Sequence, residues 1–203
     1  MHHVRFVIER RNQIIDAALH VFAEKGFQAT TNRDIAQAAS INSPGLIYHY
    51  FESQEDLFRA VLQERAPILR MAMSESHELM AQPPQVVLTR IAQTFLETAS
   101  DPTTQSLMRL IMGEALRQPP VFDIVYEGGL VHMFTFLYQY MDQWMEQGEL
   151  RRIDPGVAIR SFLGPFFLYI FSTFILGMND PHTPPPDVLI EEAVDNFLRG
   201  MAP

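Results

Sequence analysis

The sequence contains no cysteine, and it also lacks most of the motifs that mark an enzyme or a metal protein. Without cysteine the chain forms no disulfide, no thiolate nucleophile and no cysteine-ligated zinc site. The seven histidines show none of the i, i+3 or i, i+4 spacings that bind a metal. No glycine-rich loop suits a phosphate, and no recognisable motif places a serine, a histidine and an acid together. We therefore expect no enzyme activity, no metal site and no cofactor.

Basic residues are scarce relative to acidic ones. The chain has 15 Lys and Arg against 24 Asp and Glu, a formal net charge of −9, which argues against a generic nucleic-acid binder. Residues 1–65 hold seven basic and eight acidic residues, a net of −1, and the remainder holds eight and 16, a net of −8. Any nucleic-acid contact in the N-terminal region would therefore depend partly on neutral donors and helix N-termini.

Long hydrophobic runs are also rare. Residues 161–178, SFLGPFFLYIFSTFILGM, form an 18-residue stretch without a charge, which meets the lower limit for a membrane span. A Gly-Pro pair interrupts it and no basic cluster flanks one side, so we expect instead a helix in a large core or at an oligomer interface. The N-terminus MHHVRFVIERR is unlike a signal peptide, and a cytoplasmic location without a membrane is expected.

Helix signals make up the rest of the chain. Prolines and glycines divide the 203 residues into about nine helical segments with no strand pattern, so we predict an all-α fold. The length suits one small and one medium domain, which we place at residues 1–52 and 53–203. A helix from about Ser53 to Met80 would contain Pro67, which should kink it.

Residues 28–58, QATTNRDIAQAASINSPGLIYHYFESQEDLF, are the most informative stretch. Thr31 and Asp34 have capping-box spacing at the start of a short helix. A turn follows, and Ser43 can cap a second short helix that has Pro44 at its first position. Two short helices around a tight turn are typical of the helix-turn-helix that reads DNA. Upstream, apolar residues at helical spacing end at a glycine and supply the supporting helix.

The start of each short helix provides the candidate DNA contacts. Arg33 can engage guanine through two hydrogen bonds, although a solvated arginine paired with a carboxylate is the alternative. Leu46 would touch a thymine methyl if exposed, and would otherwise pack in the core. Tyr48 and Tyr50 are suited to phosphate, and His49 to either backbone or base. The predicted DNA-binding residues are Thr31, Arg33, Ser43, Pro44, Gly45, Leu46, Tyr48, His49 and Tyr50.

Three motifs carry a family resemblance: R-x-x-I-I-x-A-A-x-x-x-F-A-E-x-G-F, T-T-x-R-D-I-A and S-P-G-L-I-Y-H-Y-F. Over about residues 10 to 64 the sequence resembles the N-terminal domain of TetR-family transcriptional regulators, and Arg109–Pro120 and Gly148–Pro155 more loosely resemble the regulatory domain of one branch. The resemblance implies a homodimer that binds a palindromic double-stranded DNA operator, usually as a repressor, under control of an effector. Two positions differ: Ser40 stands where a glycine is usual, and Gln54 where a phosphate-binding lysine is common.

The C-terminal region supplies candidates for the effector site and the dimer. Large, soft side chains there are mostly core, but they also suit a pocket that repacks around small apolar effectors. The predicted ligand-binding residues are Phe95, Met108, Met112, Phe122, Tyr126, Phe134 and Trp144. In the family that the sequence resembles, the last two helices form a four-helix dimer interface, for which our candidates are Phe166, Tyr169, Phe174 and Phe197.

Two functions remain open from the sequence. The first is a ligand-responsive transcriptional regulator. The alternative is a small helical ligand carrier or enzyme with a DNA-binding domain that no longer functions. The near-neutral charge of residues 1–65 and the glutamine at position 54 would be consistent with this alternative. Binding to selected DNA would separate the two.

Overall fold

The computed structural model describes residues 2–65, 71, 75–117 and 123–203, and within these ranges the secondary structure is helical without a strand. The predicted all-α fold is confirmed. Two short π-helical segments occur, Tyr126–Leu130 before α8 and Ile170–Ile175 after α9. The helices are α1 (His2–Lys25), α2 (Asn32–Ala38), the 3₁₀-helix α3 (Pro44–His49), α4 (Gln54–Arg65), α5 (Ser76–Met80), α6 (Pro84–Ser100), α7 (Pro102–Arg117), α8 (Val131–Glu146), α9 (Pro155–Tyr169) and α10 (Pro186–Gly200).

The helix ends in the N-terminal region follow local sequence signals. Thr31 accepts a hydrogen bond from the Asp34 backbone N–H at 3.2 Å, and the Asp34 carboxylate accepts one from the Thr31 N–H at 3.0 Å. This pair is the predicted capping box. Gly26 follows α1 with a φ of 95°, a conformation that glycine adopts without steric cost. Ser53 caps α4 by accepting a hydrogen bond from the Asp56 N–H at 3.1 Å.

The second short helix differs from the prediction in its form. α3 is a six-residue 3₁₀-helix, and Ser43 precedes it without making a side-chain cap. The Ser43 carbonyl instead accepts a hydrogen bond from the Leu46 N–H at 3.0 Å, which is the i→i+3 bond of this helix type. Pro44 occupies the first position, where its missing N–H leaves no donor unsatisfied.

The chain divides into two compact units that differ from the motif-based division after residue 52. The first comprises Met1–Ala66 and Pro102–Leu130, and the second Pro67–Asp101 and Val131–Pro203. α4 and α7 join the first unit because both pack against α1. The predicted kink at Pro67 lies outside the described residues.

The first unit has an aromatic core. Phe22, Phe27 and Phe58 are each at most 5% exposed, and their ring centroids lie 5.0 to 5.8 Å apart. Edge-to-face and tilted contacts at these separations are favourable for aromatic rings. α1 and α4 therefore form a fixed support for the short helices between them.

The second unit is built around α6, α8, α9 and α10. Tyr140 is fully buried and its hydroxyl donates a hydrogen bond to the Gln82 carbonyl at 2.6 Å. Burial raises the pKa of Tyr140, so the phenol stays neutral and keeps its proton for that bond. Phe162 contacts Phe166 and Phe197, with centroids 5.4 Å away in both cases.

This packing corrects two of the predicted interface residues. Phe166 is 0% exposed and Phe197 is 8% exposed within the single chain. Their rings are already used by the protomer core and leave almost no surface for a second copy. Tyr169 and Phe174 are half-buried and contact each other with centroids 5.7 Å apart. The outward apolar surface of α9 is carried instead by Phe167 and Leu168, at 57% and 67% exposed.

Most of the apolar run identified in the sequence lies in one continuous helical stretch, which ends at Ile175. Pro155–Ile175 spans 21 residues with a mean hydropathy of 1.5, which is long and apolar enough to cross a membrane. A single such helix is weak support for a span, because core helices of soluble proteins have the same length and composition. Only 28% of its most apolar window is buried within the chain, so much of its surface is uncovered.

Candidate DNA-binding site

Burial on one side of α2 and α3 determines which side faces outward. Ile35 and Ala36 of α2 are 0% and 2% exposed, and Ile47 of α3 is 2% exposed. These three side chains pack inward, and α2 and α3 contact each other. The opposite side of both helices is therefore free to meet a ligand, as a helix-turn-helix requires.

Most of the predicted DNA contacts lie on that outward side. Tyr48 is the most open of the aromatic residues there, at 63% exposed. Leu46 and Tyr50 are half-buried, so each offers only part of its side chain, and Leu46 in particular is closer to the core than a fully exposed reader residue. The exposed members of the predicted set are Thr31, Arg33, Ser43, Pro44, Gly45, Tyr48 and His49.

The turn between α2 and α3 has a defined geometry. Ser40 has a φ of 51°, in the left-handed region that favours glycine, and it is the only non-glycine residue there among the described residues. The Ile41 N–H donates to the Ala36 carbonyl at 2.9 Å and the Ser40 N–H donates to the Gln37 carbonyl at 3.1 Å. This pair of bonds is a Schellman motif, and Ile41 is buried beside it. The turn therefore ends α2 sharply despite the serine.

Arg33 presents a free guanidinium at the first turn of α2. It is exposed and makes no ion pair or hydrogen bond with any residue that the structure describes. Lys25 differs, because its Nζ lies 2.5 Å from Asp34 Oδ1. The Lys25 hydrogen bond, together with those from Thr31, lowers the pKa of Asp34 to about 2. The carboxylate therefore stays ionised at neutral pH and anchors the start of α2.

Two other cations of the first unit serve as links between helices. Arg11 pairs with Glu64 at 2.7 Å and lies over the Phe51 ring, 5.2 Å from its centroid. Arg65 pairs with Asp16 at 2.7 Å. Both pairs join α1 to the end of α4. These charges are partly neutralised within the protein, so the reader has less positive charge for phosphates than its arginine count suggests.

Sequence reasoning missed the role of Gln54. Its Nε2 donates hydrogen bonds to the Phe27 carbonyl at 2.6 Å and the Thr30 carbonyl at 3.1 Å. Gln54 is the first residue of α4, so its side chain ties the start of α4 to the loop between α1 and α2. The partners lie 24 and 27 residues away in sequence, and no local pattern indicates such a contact.

The predicted effector residues do not gather in one unit. Phe95, Phe134 and Trp144 belong to the second unit and are half-buried, whereas Met108, Met112 and Tyr126 belong to the first. Phe122 lies outside the described residues. Trp144 Nε1 is buried with no hydrogen-bond partner among the described residues.

A groove in the second unit involves other residues. It lies between α6 and α10, has a volume of ≈ 550 Å³, and has Leu96, Ile190 and Phe174 among its lining side chains. None of the predicted ligand-binding residues lines this groove. Phe174, which we predicted at the dimer interface, is one of the residues that line this groove.

Two family models match most of the chain. Residues 14–61 match bacterial regulatory proteins of the tetR family, and residues 86–202 match the C-terminal domain of AefR-like transcriptional repressors. Among individual proteins, the HTH-type transcriptional repressor KstR2 of Rhodococcus jostii is 48% identical over 54 residues, which are 27% of this chain and 26% of that protein. The HTH-type transcriptional regulator RutR of Escherichia coli K12 is 29% identical over 151 residues, 74% of this chain and 69% of RutR.

The fold also matches a solved structure. The transcriptional regulator FadR of Bacillus subtilis, in complex with stearoyl-CoA, has a TM-score of 0.72 and 20% identity, and the match covers 93% of this chain and 98% of that one. At this identity the likeness shows the fold alone. The fold match includes both the helix-turn-helix and the helical C-terminal region.

Proposed function

The chain belongs to the TetR family of transcriptional regulators, and we propose that it acts as a homodimeric repressor that binds a palindromic operator. Members of this family bind DNA and small-molecule effectors. The observation that carries the proposal is the two-sided packing of the reader: Ile35 and Ile47 are buried, while Arg33 and Tyr48 are exposed. A surface of this kind has the polarity and the shape that a DNA groove requires.

In this proposal each copy of the chain reads one half-site. Arg33 contacts a base edge, and Ser43, Pro44 and Gly45 bring the start of α3 to the major groove. Thr31, Tyr48 and Tyr50 contact phosphates, and His49 contacts either phosphate or base. The two half-sites would lie about one helical turn apart, ~34 Å, because a two-fold protein matches a two-fold operator.

We further propose a small apolar effector that changes operator affinity by binding one of two conformations better than the other. Two separate sets remain candidate contacts: Phe95, Phe134 and Trp144 in the second unit, or Met108, Met112 and Tyr126 in the first. FadR is the relative solved with stearoyl-CoA, so a long-chain acyl-CoA is the first effector to test. The proposed location is the cytoplasm, where the chromosome and such effectors are found in bacteria.

The test is selection of bound fragments from genomic DNA with the purified full-length protein. We expect enrichment of a single palindromic motif, and a change in its affinity when stearoyl-CoA or another apolar compound is added. Failure to enrich any sequence, with folded protein, would contradict the regulator proposal and favour the helical carrier or enzyme. If a palindromic motif is enriched but its affinity does not change with stearoyl-CoA, the DNA-binding proposal stands and the acyl-CoA is rejected as the effector.

A further inference from the structure

Hydrogen bonds from Thr30 and from Gln54 hold the loop of residues 26–31. Thr30 is 3% exposed, and its Oγ1 donates a hydrogen bond to the Gly26 carbonyl at 2.5 Å. From the other side, Gln54 Nε2 donates to the carbonyls of Phe27 and Thr30. A carboxamide nitrogen has two hydrogens, and both are used here. Three bonds therefore hold a loop that contains neither helix nor strand.

This loop determines where α2 begins. Thr30 directly precedes Thr31, the cap residue of α2, and Arg33 follows within the first turn. The arginine side chain makes no hydrogen bond, ion pair or ring contact with the described residues that would fix its direction. Its position therefore depends on the backbone at the start of α2, and this backbone is held by the loop and by the Lys25–Asp34 pair.

We propose that Gln54 is a positioning residue for DNA readout, which holds the loop of residues 26–31 so that Arg33 meets its base in register. The inference rests on the proposed DNA-binding function and assigns Gln54 no contact with DNA. A base contact through two hydrogen bonds needs an accurate approach, so a small shift of the α2 start removes discrimination before it removes binding. Phosphate contacts tolerate such a shift better, because they depend mainly on charge.

The first experiment uses Gln54→Met, which keeps the length and the neutral charge of the side chain but has no donor. We expect affinity for the selected operator to fall about tenfold, within the range of a lost bidentate base contact. Preference at the base read by Arg33 should relax, while affinity for unrelated DNA stays within about twofold, because no charge changes. Unchanged base preference in folded Gln54→Met would overturn the proposal. If Gln54→Met does not fold, Gln54→Ala is used in its place, because alanine also lacks both donors.

Gln54→Lys is the rescue variant. A lysine ammonium has three donors and can reach the same two carbonyls, so base preference should remain near that of the wild-type protein. The added charge should also make the slope of log K against log salt more negative by ~0.9 if it reaches a phosphate. Loss of base preference in this variant as large as in Gln54→Met would show that hydrogen bonding to the loop is not the cause.

A double-mutant cycle with Arg33→Ala separates positioning from general stability. If Gln54 acts through Arg33, then Gln54→Met should weaken operator binding by less than about threefold in the Arg33→Ala protein, against tenfold in the wild-type background. Additive losses would overturn the proposal. The reference measurement is wild-type binding: if the wild-type protein selects no operator, the proposed function itself fails, whereas a selected operator with an additive cycle rejects only the role of Gln54.

Discussion

At the scale of single residues, Arg33 is exposed and makes no ion pair or hydrogen bond with the described residues. We expect Arg33→Ala to weaken specific DNA binding by ~1–3 kcal/mol and to relax preference at one base pair per half-site. Fluorescence anisotropy with the selected operator and its single-base variants measures both effects. Arg152→Ala, which removes another exposed arginine, in the other unit, is the control and should keep the base preference. If Arg33→Ala kept the base preference of the wild-type protein, Arg33 would not be the residue that reads this base.

Asp34 links the stability of the reader to pH. Hydrogen bonds from Lys25 and Thr31 lower the pKa of the folded carboxyl to about 2, whereas an unfolded aspartate titrates near ~3.9. Between these values the unfolded chain binds more protons than the folded one, so a falling pH favours unfolding. The contribution of Asp34 is therefore complete above about pH 4 and is lost as the pH falls towards 2.

Urea unfolding of the wild-type protein and of Asp34→Asn, followed from pH 6 to pH 2, measures this linkage. The difference in unfolding free energy between the two proteins should shrink as the pH falls through the interval below 4, because only the wild-type side chain is then protonated. A difference that stays constant over this interval would mean that the carboxylate is not held by Lys25 and Thr31 in solution.

At the scale of elements, the sequence predicted the helix ends well where the signals are local. The Thr31–Asp34 capping box, Gly26 after α1 and the Ser53 cap all depend on residues within four positions of each other. The form of α3 was harder, because a 3₁₀-helix and a short α-helix share the same start signals. The contacts of Gln54 could not be predicted from the sequence, because their partners lie in a distant part of the chain.

The burial of Phe166 and Phe197 shows the same limit in another way. Residues 161–178 carry no charge, so their periodicity gives no indication of which side packs on its own unit. That choice is made by contacts with α8 and α10, which a single sequence does not specify. Composition therefore predicted a core or interface helix, but it did not indicate that Phe166 of α9 and Phe197 of α10 are buried within the protomer.

Gly128 brings the π-helical segment Tyr126–Leu130 close to α4. A Cβ at this position would lie 3.2 Å from Leu62 Cδ1 and 3.4 Å from Arg59 Cγ, and Leu62 is itself buried. We expect Gly128→Ala to lower the free energy of unfolding by ~1 kcal/mol through overpacking. Gly113→Ala is the matched control, because among the described residues no atom beyond its chain neighbours and its own helix backbone lies within 4 Å of a Cβ built there. The helix interior also favours alanine by ~1 kcal/mol.

Thermal and urea unfolding of the two alanine variants should move in opposite directions from the wild-type protein. Equal stabilisation of both would show that α4 and the π-helical segment are not closely packed in solution. If only Gly128→Ala lowers the stability, the close packing of α4 against the segment Tyr126–Leu130 contributes to the stability of the fold.

At the scale of the whole molecule, the uncovered surface of α9 requires an explanation. Phe167 and Leu168 are more than half exposed, and Leu176 and Met178 extend the same apolar character beyond the helix. Large exposed apolar patches mark interaction sites more often than free surface. A second copy of the chain is the occupant that a two-fold operator requires, so the exposed side of α9 is where we expect the dimer to form.

Leu168→Asp tests this interface directly. The side chain is 67% exposed in the protomer, so an aspartate there costs little in an isolated chain, but at a dimer interface it becomes a buried, unpaired charge. Light scattering after size exclusion in detergent-free buffer should show a monomer with helical content unchanged by circular dichroism, and operator affinity should fall because one half-site is lost. Val86→Asp, on an exposed apolar residue of α6, should stay dimeric.

Phe166→Ala is the second comparison, because it should lower protomer stability by ~3–5 kcal/mol through a core cavity rather than dissociate a folded dimer. The three variants thus distinguish an interface residue, a free-surface residue and a core residue. A folded Leu168→Asp protein that remains dimeric would place the two-fold axis away from α9. A wild-type protein that is soluble only in detergent would instead assign this surface to a membrane, and the operator would then have to be read without the α9 interface.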